Sequence, residues 1–192
     1  MENDLVLEKK SLEKAKMGML YWAMASMTIF FGAFCSYYLV MMGNGNWLKF
    51  ELPDIFFISS ITIILSSLAL IYAHQSVKKN NFKGIKTGVV ISFLLGLIFC
   101  YLQVDGWKWL YSQNIVFGGK YANVSGSIMY VITFLHFLHV LFGLIALLWT
   151  GINSFRNKYS AESHLGLSLA IAFWHFLDIL WIVLFLFLLF NR

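Results

Sequence analysis

Charged side chains are scarce in this sequence. Asp, Glu, Lys and Arg make up 12% of its 192 residues, whereas 60% are hydrophobic, and the mean hydropathy is +0.75. A soluble domain of this size has no core large enough to bury so much apolar surface. The sequence therefore predicts an integral membrane protein. The net charge of +5 does not indicate a nucleic-acid partner, because the basic residues stand at the ends of apolar runs.

Cysteine is nearly absent as well. The two cysteines, Cys35 and Cys100, both lie inside apolar runs, and neither belongs to a C-x-x-C or C-x-x-C-H pattern. We interpret both as small packing residues. This pattern argues against a disulfide, a thiolate copper site and a covalently attached haem.

Five apolar runs are each long enough to cross a bilayer as a helix. The first is too long for a signal peptide, and the turn Gly43-Asn44-Gly45-Asn46 with Pro53 beyond it ends that helix. The predicted fold class is all-α, an integral membrane bundle of five transmembrane helices. A charged cytoplasmic N-terminal segment, residues 1–16, precedes a single domain, residues 17–192. The predicted helices span about residues 17–42, 55–77, 87–107, 126–150 and 166–190.

The distribution of basic residues predicts the orientation. With the N-terminus inside, the inner segments hold ten basic residues and the outer segments hold four, which accounts for all 14 Lys and Arg. Cytoplasmic segments carry the excess of positive charge in membrane proteins. We therefore expect a cytoplasmic N-terminus and an outer C-terminus at Arg192.

The fifth predicted helix carries an acid near its middle. A carboxylate at the centre of a membrane helix costs roughly 2.5–3.5 kcal/mol on insertion scales, so Asp178 should face protein. His175 lies three residues earlier on the same side, and Trp174 and Trp181 share the stripe. We interpret these residues as a structural polar contact between packed helices. A direct proton-carrying or ligand-binding role is the alternative.

The fourth predicted helix carries two histidines at similar depth. His136, His139 and Gly143 form one stripe because they are spaced i, i+3 and i+7. We expect a hydrogen-bonded cluster between the fourth and fifth helices, in which Asp178 bonds to His136, His139 or His175, with Gly143 allowing close approach. Replacing Asp178 by Leu would then destabilise this packing by roughly 1–3 kcal/mol.

Small residues predict helix-packing seams in the first two helices. They are Gly18, Ala25, Gly32 and Ser36 in the first helix, and Ser59, Thr62, Ser66, Ala69 and Ala73 in the second. In the third helix we treat Gly88 and Gly96 as isolated background glycines. None of these three helices has a deep ionisable residue or a Gly/Pro break, which disfavours a transporter with discontinuous helices.

A more specific alternative to the hydrogen-bonded cluster is that the histidines bind haem. A bis-histidine haem needs facing histidines on two helices, and only His136, His139 and His175 are deep. One b-type haem between the fourth and fifth helices therefore stays open. No group of acidic and histidine residues resembles a di-metal carboxylate site.

Several stretches resemble subunit III of the haem–copper terminal oxidases. The stretch Trp174-His175-Phe176-Leu177-Asp178-Ile179-Leu180-Trp181 resembles that family's W-H-F-V-D-V-V-W signature. His136-Phe137-Leu138-His139-Val140, followed by Gly143, resembles its H-G-L-H-V segment, and Tyr72-Ala73-His74-Gln75-Ser76 is similar to its W-A-H-H-S. The resemblance runs from about Gly18 to the C-terminus. It covers all five helices and indicates the short, five-helix bacterial form.

The sequence departs from the family pattern in the first helix. The family commonly carries a buried glutamate there within S-E-x-x-F-F, and the matching position in this chain is Ser26. A hydroxyl does not titrate in the working range. The resemblance would assign that glutamate a role in assisting proton entry. This chain has no carboxylate at the matching position to take that role.

The resemblance implies that haem, copper and the oxygen site belong to partner subunits I and II. This chain then has no catalytic, cofactor-binding or metal-binding residue, and it is a non-catalytic subunit in the bacterial inner membrane. The resemblance favours a cytochrome c oxidase of aerobic electron transport, although a quinol donor stays open. The subunit is expected to hold structural phospholipid and to support stability and sustained proton-coupled oxygen reduction. Other respiratory complexes are further candidate contacts.

Overall fold

The computed structural model describes residues 2–45, 47–120, 122–161 and 163–191. The described residues form five helices, each long and apolar enough to cross a membrane, and their only β-type pairing is one bridge between Ser160 and Ser163. The predicted all-α fold of five transmembrane helices is confirmed. The helices are α1 (Glu2–Gly43), α2 (Ile55–Lys78), α3 (Phe82–Ser112), α4 (Val124–Phe155) and α5 (Leu165–Phe190).

Local signals set several helix ends. The side chains of Asn81 and Asn123 cap α3 and α4 by accepting hydrogen bonds from the backbone N–H of Gly84 and Ser125. Beyond the C-terminal end of α1, Gly45 takes a φ of +79°, which glycine adopts without strain. The predicted limits of α2 and α5 agree with the structure to within one residue.

The first helix is longer than predicted. It begins at Glu2 and has 42 residues, so the charged N-terminal segment is helical from its second residue. That segment is rich in Leu, Lys and Glu, which are strong helix formers, and its acids and bases alternate. Apolar patterning alone could not extend the predicted helix into this polar stretch.

Helices α2 and α3 form the most extensive contact in the bundle, and α4 and α5 complete its core. Within the described residues α1 packs only against α4 and α5. It turns Phe31 and Tyr38 inward, two turns apart, and both side chains are buried. The hydroxyl of Tyr38 donates a hydrogen bond to the backbone oxygen of Asn191 at 3.2 Å, which joins α1 to the end of α5.

The predicted small-residue seam of α1 does not pack against the described part of the chain. A Cβ atom added at Gly18 or Gly32 would meet no atom within 4 Å. Trp22 and Ile29, on the same part of the helix, are 79% and 75% exposed. The physical reason is that the large side chains of Phe31 and Tyr38 occupy the opposite, inward face.

Instead, a small-residue seam runs along α3, where the sequence predicted none. Gly84, Gly88, Ser92 and Gly96 recur every four residues and are all buried. A Cβ atom at Gly88 would lie 2.6 Å from the backbone oxygen of Ala69 on α2. The interpretation of Gly88 and Gly96 as isolated glycines is therefore wrong, and the missed signal is the small-x-x-x-small spacing.

Candidate functional site

The motif residues of α5 lie at the centre of the bundle. Trp174, Asp178 and Trp181 are buried, with Asp178 only 4% exposed, while His175 is half-buried. The residue spacing places all four on the side of α5 that faces protein. Ile179 and Val183, on the opposite side, are 65% and 56% exposed.

Trp174 contacts three helices at once. Its indole nitrogen donates a hydrogen bond to Ser66 Oγ of α2 at 3.0 Å. Its ring lies between two glycines, because an added Cβ would come within 2.7 Å of it at Gly96 on α3 and within 3.0 Å at Gly143 on α4. The close approach of α4 and α5 at Gly143 is thus present, with Leu177 as the second neighbour.

Two further polar contacts join α5 to α2. Trp181 donates its indole hydrogen to Ser60 Oγ at 3.0 Å, and His175 Nδ1 lies 2.5 Å from Ser67 Oγ. These two contacts and the Trp174–Ser66 bond all fit a single antiparallel alignment of α5 against α2. Membrane helices are held together in this way by side-chain hydrogen bonds across closely packed seams.

The partners of these α5 residues are therefore serines of α2, not the histidines of α4. The predicted hydrogen-bonded cluster between the fourth and fifth helices is not formed. The reason is that α2 presents hydroxyls at Ser60, Ser66 and Ser67, each level with an α5 donor or acceptor. Short side chains also let α2 and α5 approach closely enough for these bonds.

Asp178 has no hydrogen-bond partner for either carboxylate oxygen among the described residues. The nearest charged or polar nitrogen is His175 Nδ1, at 4.0 Å from Oδ2, which is beyond hydrogen-bond distance. The hydroxyl of Ser67 on α2, which contacts His175 Nδ1, also lies close to this carboxyl group. The predicted bond from Asp178 to His136, His139 or His175 is thus absent.

The two histidines of α4 lie in different surroundings. His136 is fully buried, neither ring nitrogen has a hydrogen-bond partner, and the centre of its ring is 5.2 Å from that of Trp181. His139 Nδ1 donates to the backbone oxygen of Leu135, one turn earlier, at 2.6 Å. The ring of Phe31 from α1 packs against both histidines, with centroids 6.4 Å and 5.7 Å away.

The geometry gives no support to haem or metal ligation at these histidines. The rings of Phe31, Phe99 and Trp181 surround His136 with centroids 5.2–6.4 Å away, so they occupy the space that a haem plane needs. No three His, Cys, Asp or Glu side chains in the described part of the chain converge as metal ligands. Both cysteines, Cys35 and Cys100, are free.

Two further interhelical bonds, which involve α3, were also not predicted. Gln103 of α3 donates through Nε2 to Ser59 Oγ of α2 at 3.0 Å. Trp107 of α3 donates its indole hydrogen to Thr133 Oγ1 of α4 at 3.0 Å. The available signal was a buried amide and hydroxyl within apolar runs, where such groups need a partner.

Ser26, at the family's glutamate position, faces away from the bundle. Its side chain is exposed, and its hydroxyl donates to the backbone oxygen of Ala23 at 2.7 Å. The hydroxyl is thus satisfied within its own helix and makes no contact with the aromatic and polar core around Trp174.

Comparisons with known proteins agree with the motif on α5. The family model for Cytochrome c oxidase subunit III matches residues 8–191. The chain is 30% identical over 176 residues to Cytochrome c oxidase subunit 3 of Thermostichus vulcanus, covering 88% of this chain and 83% of that protein. It is also 30% identical over 179 residues to Cytochrome c oxidase subunit 3 of Synechocystis sp., covering 88% and 72%. The Probable cytochrome c oxidase subunit 3 of Rickettsia prowazekii is 28% identical over 192 residues, covering 90% and 66%. The chain belongs to the cytochrome c oxidase subunit III family.

Proposed function

We propose that this chain acts as the non-catalytic subunit of a bacterial cytochrome c oxidase and sustains proton-coupled oxygen reduction by its partners. The observation that supports the proposal is the set of contacts that the family-motif residues of α5 make within the fold. Trp174, His175 and Trp181 bond to serines of α2, so the motif joins two helices. Electron transfer and oxygen chemistry then belong to subunits I and II, which would hold the haem and copper.

The core supports a stabilising role. A membrane bundle gains little from the hydrophobic effect between helices, so close packing and side-chain hydrogen bonds hold it together. Trp174 supplies both, because it fits between Gly96 and Gly143 and also bonds to Ser66. A rigid bundle of this kind is suited to supporting a catalytic subunit beside it and to retaining membrane lipid at its surface.

The charge distribution supports a place in the bacterial inner membrane with a cytoplasmic N-terminus. Lys78 at the end of α2 and Lys86 near the start of α3 lie at the same end of the bundle. Ala161 donates its backbone hydrogen to Asn80 Oδ1 at 2.9 Å, which brings the loop after α4 to that end as well. This end carries the larger share of basic residues, as expected for a cytoplasmic face. Arg192 lies outside the described residues.

The two other functions considered from the sequence are not favoured. A self-contained b-type haem protein needs open space between facing histidines, but aromatic rings surround His136. A small transporter needs a polar path or a broken helix, and the five helices run without interruption from end to end.

Removing the subunit from the purified oxidase tests the proposal. We expect the complex without this chain to keep its haem and copper content and its initial oxygen-uptake rate per haem. It should then lose activity faster during turnover, because the stabilising neighbour is missing. The measurement is metal content together with an oxygen-uptake time course, with and without the chain, and adding the chain back should restore the slower loss.

Two results would contradict the proposal. One is a loss of haem or copper when the chain is removed. The other is an initial rate already abolished in an otherwise folded complex, which would require a direct redox or proton-delivery role. Mass spectrometry of the complex obtained in mild detergent should also find subunits I and II with this chain.

A further inference from the structure

The side of the bundle between α2 and α5 carries polar side chains at the middle of the membrane. Ser67 is the thirteenth of the 24 residues of α2, and His175 is the eleventh of the 26 residues of α5. At 1.5 Å per residue, both lie within about 4 Å of the middle of their helices. Because the hydrocarbon core is about 30 Å thick, both side chains lie deep inside it.

These two side chains reach the surface of the chain. Ser67 is half-buried, and 26% of the His175 side chain is exposed although α1 packs against α5. Ile71 and Ile179, one helical turn beyond Ser67 and His175, are 42% and 65% exposed. We call the surface formed by these four residues the α2–α5 face. The described part of the chain leaves this face uncovered.

His175 has one ring nitrogen in a polar contact and one without a partner. Its Nδ1 contacts Ser67 Oγ, whereas Nε2 lies at the surface and makes no hydrogen bond with the described residues. Lipid tails have no hydrogen-bonding group, and water is absent at this depth. The exposed hydroxyls of Ser26 and Thr28 on α1 differ, because they bond to the backbone of their own helix. His175 Nε2 therefore needs a partner from outside the chain.

The surface beside His175 is shaped to receive a helix. Ala172 and Ser168 precede His175 by three and seven residues, so they share its stripe, and both are half-buried. Their short side chains leave room for a neighbouring helix to approach closely. Ile71 and Ile179 add apolar surface for the same contact. The polar group at His175 thus lies within a surface that a transmembrane helix can pack against.

We propose that the α2–α5 face binds a transmembrane helix of a partner oxidase subunit, and that this helix presents a hydroxyl or amide side chain to His175 Nε2. The inference rests on the proposed function, because it requires an assembled oxidase. An imidazole nitrogen donates or accepts a hydrogen bond according to its tautomer, and hydroxyl and amide side chains do both. A carboxylate is disfavoured, since Asp178 Oδ2 already lies 4.0 Å from His175 Nδ1.

Site-specific photo-crosslinking in the purified oxidase identifies what covers this face. A benzophenone side chain replaces Ile71 or Ile179 in the full chain, and crosslinked peptides are identified by mass spectrometry. We expect both positions to label the same transmembrane helix of a partner subunit. Leu94 is the matched control, because it is 52% exposed but lines the other side of the bundle, between α3 and α4. A benzophenone at Leu94 should not label that helix.

Three substitutions test the hydrogen bond itself. His175→Phe removes both ring nitrogens, so we expect the chain to dissociate from the oxidase in detergent about fivefold faster. Ser67→Ala removes the contact to Nδ1 but keeps Nε2, so this variant should dissociate at the original rate. His175→Gln should also dissociate slowly, because its amide can still donate and accept. Unfolding of the isolated chain should be affected alike by His175→Phe and Ser67→Ala, since both lose the Ser67 contact.

Crosslinks from Ile71 and Ile179 to lipid, to quinone or to a second copy of this chain would overturn the proposal. Equal dissociation rates of His175→Phe and Ser67→Ala would overturn it as well. The same samples separate this proposal from the proposed function. A chain that co-purifies with no oxidase subunit refutes the proposed function, whereas a chain that joins the oxidase with only lipid on this face refutes only the docking surface.

Discussion

The indole nitrogen of Trp174 donates a hydrogen bond to Ser66 Oγ at 3.0 Å, near the middle of both α5 and α2. Ser66 Oγ in turn lies 2.7 Å from Ser92 Oγ of α3. Three helices are thus linked through two serines and one tryptophan where no water is at hand to replace a lost bond. Tryptophan suits this position because it combines a broad ring with a single donor.

Replacing Trp174 by Phe should destabilise the bundle moderately. The substitution removes the bond to Ser66 but leaves that hydroxyl paired with Ser92, so no buried group is stranded. We expect a loss of about 1 kcal/mol in the free energy of unfolding. Trp174→Ala removes the ring as well and should cost about 3–5 kcal/mol. Unfolding in mixed detergent–SDS micelles measures both losses.

Trp149→Phe is the matched control for this substitution, because Trp149 is 67% exposed on α4. It should leave the free energy of unfolding unchanged within about 0.5 kcal/mol. A Trp174→Phe variant as stable as this control would show that the Trp174–Ser66 bond adds nothing measurable to stability.

Gly96→Ala should destabilise the chain although alanine is the better helix former. Its methyl group would lie 2.7 Å from Trp174 Cη2 and 2.8 Å from Leu144 Cδ2, so α3 has to move or the ring has to shift. Overpacking of this kind costs about 1–3 kcal/mol. Gly32→Ala, with no atom within 4 Å of the new methyl, should be neutral or slightly stabilising. Equal stability of the two variants would contradict the close contact at Gly96.

The sequence was sufficient to predict the number of helices and the inward face of α5. Each apolar run is long enough to span the bilayer, and the spacing of Trp174, Asp178 and Trp181 places them on one stripe whatever the neighbours are. The sequence also predicted that α4 approaches α5 at Gly143. The number of helices and the inward face of α5 depend on one helix at a time. The approach at Gly143 depends on glycine, which has no side chain to hold a neighbouring helix away.

The partners of the motif residues could not be predicted in the same way. Which residue faces Trp174 depends on how far α2 and α5 slide and rotate against each other, and this is set by packing over the whole bundle. From the sequence, Ser66 was interpreted as a small packing residue and Ser60 and Ser67 were not singled out, whereas His136 and His139 were predicted as partners for the acid. The structure places hydroxyls of α2 beside α5 and surrounds His136 with rings.

The orientation can be measured with single cysteines. In a chain with Cys35 and Cys100 replaced by Ala, Glu51→Cys lies in the loop after α1 and Lys79→Cys follows α2, and both positions are exposed. We expect a membrane-impermeant thiol reagent to label position 51 in intact cells and position 79 only after the membrane is permeabilised. The reverse pattern would show that the N-terminus is outside and that the end of the bundle with more basic residues is not the cytoplasmic end.

The structure reverses the expected effect of Asp178→Leu. The sequence alone predicted a loss of stability, because a histidine partner would be stranded. In the structure both carboxylate oxygens are without hydrogen-bond partners, and Ser67, the polar α2 side chain close to them, is paired with His175 Nδ1 and would not be stranded. Removing an unsatisfied buried polar group in favour of an apolar one of similar size is neutral or stabilising. We therefore expect the free energy of unfolding to stay the same or to rise by about 1–3 kcal/mol.

The same variant separates a structural from a functional reason for an acid at this position. If Asp178→Leu is at least as stable as the original chain and the assembled oxidase also sustains oxygen uptake equally long, the carboxyl group is dispensable for both. If stability holds but activity is lost faster, Asp178 serves turnover and not packing. Asp178→Asn, which keeps the shape and removes the acid, then shows whether the proton or the polar group matters. A clear loss of stability in Asp178→Leu would instead mean that the carboxyl group has a partner in the membrane, and the structural contact predicted from the sequence would stand.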